Sequence, residues 1–132
     1  MSQENVEIVR RAYECFNEGD VEGVLELCDK GFEFRDLPEL PGSGVYVGHE
    51  AFRGWVNQVT DAFDGLHFDV GELIDAGDSV VVVTDGAGRG KSSGALVEMH
   101  FSAVWRLQNG RLIESVNYSK HAEALEAAGL SE

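Results

Sequence analysis

The sequence predicts an α+β domain with helices gathered in its first half and a strongly curved, mostly antiparallel sheet in its second. Three features carry that prediction. Apolar residues recur every three or four positions before Gly19 and again after His49; from Leu66 onward they alternate; and Ala95 to Leu107 forms one long alternating run. A strand of about 13 residues is too long to stay flat, so its twist coils the sheet and leaves a concave face that helices must cover.

In chain order, Val6, Val9, Ala12, Tyr13 and Phe16 form one face of a first helix that stops at Gly19. Asp20 then reads as the cap of a second helix, whose buried face is Val24, Leu25, Leu27 and Cys28. Gly31 to Asp36 alternates Phe32 and Phe34 with polar residues, a short strand. A loop from Leu37 to Gly48 holds both prolines, and it is either the entrance to a site or a plain connector. A third helix starts near His49 and carries Phe52, Trp55, Val56, Val59, Ala62 and Phe63 on a broad apolar stripe.

The remainder is sheet and a tail. Leu66, Phe68 and Val70 alternate with polar partners, and Ser79 to Thr84 is apolar on both faces. Asn109-Gly110 marks a tight hairpin into a last strand, Arg111 to Ser119. The segment from Gly86 to Gly94 reads as a mobile hairpin loop: it lacks the strand-to-helix context and the spacing of a phosphate loop. His121 to Leu130 favours helix, with Gly129 at its C-cap, and is expected to pack across the mouth or the end of the sheet.

With 43% hydrophobic residues in 132, residues 1–132 read as one domain with a core that needs no staples. The 24 acidic residues outnumber the 10 basic ones and leave a net charge of −14. Such a surface repels phosphate backbones and anionic membranes, so neither nucleic acid nor membrane is an expected partner. The charge serves solubility first and mildly favours neutral or cationic ligands. Cys15 and Cys28 form no CxxC pair and read as buried thiols. The N-terminus lacks the basic head and apolar run of a signal peptide, no stretch has the length of a membrane span, and a cytoplasmic protein is expected.

The strings VEIVRRAYECFNEGDVEGVLEL, FRDLPELPG, GHEAFRGWV, LIDAGDSVVVV, FSAVWRLQNGRLIE and EALEAAGL, in this order and covering nearly the whole chain, resemble the SnoaL-like proteins of the nuclear-transport-factor-2-like superfamily. The resemblance implies a cone-shaped roll, a pocket between sheet and helices, and a homodimer formed through the outer face of the sheet. It does not imply one activity, because the superfamily includes steroid isomerases, polyketide cyclases, epoxide hydrolase-like and dehydratase-like enzymes, and non-catalytic binding modules.

Asp36 stands where ketosteroid-isomerase-like members carry their general base. A carboxylate in the wall of an apolar pocket suits proton abstraction from a weak carbon acid. An aspartate ending a strand also bonds the amides of the turn that follows, here Leu37 to Glu39, and the two readings stand side by side. The family's oxyanion tyrosine falls on Ala12, one position from Tyr13 and about 100° around the helix. Its second donor falls on Ala103, and its last-strand carboxylate on Asn117, which can orient a carbonyl or a water without carrying a proton. In the family's register Phe34, Trp55, Phe101, Ala103 and Trp105 face the concavity, an aromatic wall suited to flat apolar ligands; any one of the aromatics reads as core before it reads as ligand wall. His49, His67, His100 and His121 show no metal-ligand spacing, and His100 is expected to face outward. Neither a metal nor a cofactor is expected. The partner is a small hydrophobic molecule, of polyketide, terpenoid or steroid type. It is either turned over by a cofactor-independent isomerase, cyclase or hydratase using Asp36, Asn117 and Tyr13, or held by a non-catalytic binding or dimeric scaffold module.

Overall fold

Helix α1 (Ser2–Asn17) buries Val9, Ala12 and Tyr13, the stripe its spacing predicts. The computed structural model describes residues 2–38 and 44–130. Gly19, with φ 78°, turns the chain into α2 (Val21–Glu26), where the Asp20 carboxylate accepts from Gly23 N at 2.9 Å. Strand β1 (Cys28–Arg35) follows at once, so Cys28 opens a strand rather than closing a helix. A short apolar pair such as Leu27-Cys28 fits either period, and pairing decides: Cys28 lies opposite Leu112 in the last strand. Its thiol donates to Val24 O at 3.3 Å, and burial pushes its pKa up to about 12.

The expected long loop contains a strand, β2 (Val45–Val47), which pairs with β1 through Phe34 and Tyr46. Helix α3 (His49–Ala62) buries Phe52, Trp55 and Val56 against the sheet. Arg53 ties it to α2 with two hydrogen bonds to the Glu22 carboxylate, at 2.7 and 2.8 Å. Phe63, expected on the helical stripe, instead begins β3 (Phe63–Asp75), which continues into β4 (Ser79–Gly90), β5 (Leu96–Gln108) and β6 (Arg111–Tyr118). The six strands form an open sheet in the order β2-β1-β6-β5-β4-β3. Among the described residues the one parallel pair is β1 with β6, which makes the sheet mixed. The Asn17 side chain docks α1 onto β3 by an amide pair with the Phe68 backbone, donating at 2.8 Å and accepting at 2.9 Å.

Gly86 to Gly90 belongs to β4, and the turn is confined to residues 91–93. The glycines there answer a packing need. A Cβ at Gly86 would lie 2.7 Å from Cε1 of Phe68, and one at Gly88 would lie 3.2 Å from Cδ1 of Leu66, so the neighbouring strand lays its side chains over bare backbone.

Two cores result, one per face. The concave face packs Val80, Val82, Ala103, Trp105 and Leu112 against the first three helices. On the convex face Val81 and Val104 meet Ala124 and Leu125 of α4 (His121–Ala127). The tail helix therefore covers the outside of the sheet, not its mouth or end. It also covers apolar outward positions of the sheet: Val81 is 0% and Val104 4% exposed within the single chain. His121 Nδ1 lies 2.8 Å from Ser102 Oγ at its start, and Gly129, with φ 80°, closes its end. No described helix is long and apolar enough to cross a membrane.

Candidate functional site

Between the concave face and the first three helices lies a cavity of about 400 Å³, within the range of small-molecule sites. Strand alternation builds one wall. On β5 the inward positions are Val97, Met99, Phe101, Ala103 and Trp105; β6 sets Ser115 opposite Trp105 and Asn117 opposite Ala103. Trp55 and Phe34 close the far side, their ring centroids 4.5 Å apart. The cavity is not sealed. It reaches solvent past Gln58 and Ala62, both exposed, toward Val97 and Met99 at the far end of β5.

Asp36 is the single charged residue among the described residues lining this cavity. It sits just past the end of β1, half-buried, and three N–H groups from three elements converge on its carboxylate. Leu37 N donates to Oδ1 at 2.8 Å, Asn117 Nδ2 donates to Oδ1 at 3.3 Å, and Trp55 Nε1 donates to Oδ2 at 3.1 Å. The turn contact and the pocket position coexist. A carboxylate offers about four acceptor directions, so about one, on Oδ2, remains unfilled. Asp36 and Asn117 also border a second cleft beyond the ends of β1 and β6, with Arg35, Val45, Tyr118 and Glu123.

Tyr13 lines the cavity too, next to Ala12, whose methyl supplies no donor. Trp105 Nε1 donates to the Tyr13 hydroxyl at 3.0 Å, with the two rings edge to face. Burial raises the Tyr13 pKa; the Trp105 N–H and the neighbouring Thr84 hydroxyl oppose that shift without cancelling it. The group is thus a neutral phenol, and accepting from Trp105 leaves its own proton available to donate.

Phe34, Trp55, Phe101 and Trp105 all border the cavity. Ala103 does not: it is 0% exposed, closed in by Val82 on one neighbouring strand and Asn117 on the other. Sequence reasoning missed the Trp55 N–H as a partner of Asp36, and it missed Ser115. Ser115 is fully buried at the cavity floor, and its hydroxyl has no hydrogen-bond partner among the described residues. Stepping back two residues from Asn117 along the strand would have found it. His100 faces outward, its Nδ1 2.6 Å from Asp85 Oδ1. Among the described residues no group of three His, Cys, Asp or Glu side chains is arranged to hold a metal ion.

The SnoaL-like domain profile matches residues 9–115 of the chain. Among curated proteins nothing matches. Solved structures do. A nuclear-transport-factor-2-like protein from Burkholderia thailandensis is 23% identical, covering 86% of this chain and 88% of its own, with a TM-score of 0.80. Bal32a, from a soil-derived mobile gene cassette, is 22% identical over 89% of both chains, with a TM-score of 0.82. A candidate SnoaL-like polyketide cyclase from Jannaschia sp. CCS1 is 21% identical over 96% of this chain and 91% of its own, with a TM-score of 0.77. At these identities the likeness is one of fold.

Proposed function

Because the chain belongs to the SnoaL-like domain family, we propose that its cavity binds a small, largely apolar ring molecule and that Asp36 acts on it as a general base, without a cofactor. The observation that carries this reading is the fixed Asp36 carboxylate, held by Leu37, Trp55 and Asn117 in an aromatic wall with one acceptor direction free. In an isomerase, cyclase or hydratase step that free direction would take a proton from carbon beside a carbonyl. Electron density moving onto the carbonyl oxygen needs a donor, and the phenol proton of Tyr13 or the second amide proton of Asn117 is the available one.

Proton exchange tests the base directly. Bound 2-tetralone, a two-ring carbon acid, should exchange its α-protons with D2O in the presence of the protein. Asp36→Asn should slow that exchange by about 100-fold or more while the ketone's affinity, read from tryptophan quenching, changes little. Equal exchange in both proteins would refute the base.

One observation favours a second reading, a non-catalytic ligand-binding or dimeric scaffold module. Methyl groups stand at Ala12 and Ala103, where the isomerase pattern needs oxyanion donors. Under that reading 2-tetralone binds and Asp36→Asn alters no exchange.

A further inference from the structure

We infer that the ligand of this cavity carries a positive charge, an organic ammonium group on an apolar body, seated between the Asp36 carboxylate and the aromatic faces beside it. This rests on the cavity being the ligand site and does not depend on Asp36 acting as a base.

Charge accounting leads there. Among the described residues Asp36 is the one carboxylate lining the cavity, and no described Arg, Lys or His lines it. Its partners are three neutral N–H groups, and among the described residues it forms no ion pair. A half-buried carboxylate is left with hydrogen bonds and no counter-charge, an arrangement a cation improves and an anion worsens. About one acceptor direction on Oδ2 is unfilled, on a residue that lines the cavity.

Aromatic geometry leads to the same class. Trp55 touches Asp36 through its indole nitrogen, Phe34 lies two residues before it, and their ring centroids are 4.5 Å apart, with Phe52 5.6 Å from both. Ring faces attract cations, most strongly where water is excluded, so carboxylate and rings act on one group in the same sense. The net charge of −14 adds a general attraction that raises cation concentration at the mouth. A neutral ligand packs against the same rings but gains none of this charge attraction.

An isosteric pair reads the charge alone. Benzyltrimethylammonium and neopentylbenzene differ only in nitrogen against carbon at the branching atom, and phenylacetate supplies the anion. Trp55 and Trp105 are the chain's two tryptophans and both line the cavity, so their quenching reports occupancy. At an ionic strength that screens the surface, the cation should bind about tenfold or more tighter than its neutral isostere, with phenylacetate weakest. Asp36→Asn should bring cation and isostere close together, and Asp36→Glu, which keeps the charge, should retain the preference. Equal affinities in the wild type, or a full preference persisting in Asp36→Asn, overturn the inference and leave the cavity reading standing. If no probe quenches, both fall together.

Discussion

The two faces of strands β4 and β5 are finished in opposite ways. On the convex face Val81 and Val104 are sealed by two residues of a seven-residue helix, Ala124 and Leu125, and none of the four is more than 9% exposed. On the concave face, one residue away along the same strands, large aromatic rings surround a void of about 400 Å³ and the Ser115 hydroxyl goes without a partner among the described residues. Aliphatic side chains close the part of the convex face under α4, while the rings on the other face leave a space between them. A void and an unpaired hydroxyl each cost stability. The concave side, which holds the larger core, thus carries the cost of a space kept free to bind, and the side that α4 covers carries none.

That asymmetry breaks most visibly under substitution on β5. Val104→Asp places a carboxylate against Val81, Ala124 and Leu125, and is expected to cost about 3 kcal/mol or more, read from the urea midpoint. Phe101→Ala, three residues away and facing the void, should cost about 2 kcal/mol, less than the roughly 3–5 kcal/mol typical of a phenylalanine packed on all sides. If Phe101→Ala matches the closed-core value, the void is not there in solution and the contrast between the faces fails.

Gly86→Ala sharpens the same contrast from the backbone. The added Cβ would meet the Phe68 ring at 2.7 Å, and Phe16 and Phe101 already stand 5.2 and 5.9 Å away between ring centroids. Phe68 lines the cavity, so displacing its ring alters the cavity wall. A loss of about 1 kcal/mol is expected from the overpacking, with weaker tryptophan quenching by 2-tetralone. Unchanged affinity would mean that Phe68 does not border the space the ligand uses.

Most of this architecture is legible in the sequence, and what is not legible follows a pattern. The stripe from Val9 to Tyr13 and the Asn109-Gly110 hairpin, whose φ angles of 53° and 77° suit a tight turn, follow local rules that the fold leaves alone. Cys28, Val45–Val47 and Gly86–Gly90 were misread because their conformation is decided by a partner strand: β6 for Cys28, β1 for β2, and Phe68 with Leu66 for the glycines. The face chosen by α4 is likewise absent from its own Ala-rich sequence. In the site, the family resemblance points to Asp36, yet its hold by Trp55 and Asn117 joins residues 19 and 81 positions away. No local pattern encodes such a contact.

The smallest expected effect lies on the convex face beyond the reach of α4, where His100 meets Asp85. The hydrogen bond from the ring to Asp85, then the carboxylate's charge, raises the His100 pKa above its ordinary 6.5, with slight opposition from desolvation and support from Glu98. Asp69 lies across from Asp85 on β3, and His67 is 3.6 Å from Asp69, so the surrounding charge is mainly negative. Since the folded value exceeds the unfolded one, the pair's stabilisation is fully present below about pH 6.5 and disappears as pH rises through the folded-state pKa. Both side chains are exposed, at 74% and 64%, so salt screens the pair and little stability follows from it. In an NMR titration the His100 midpoint should lie above that of an ordinary histidine and fall back in Asp85→Asn. Global stability should hardly move. A large stability change on Asp85→Asn would show that this stretch of the convex face is buried in a second copy of the chain, as the family's dimer would require, and that α4 covers only part of what the outer face packs against.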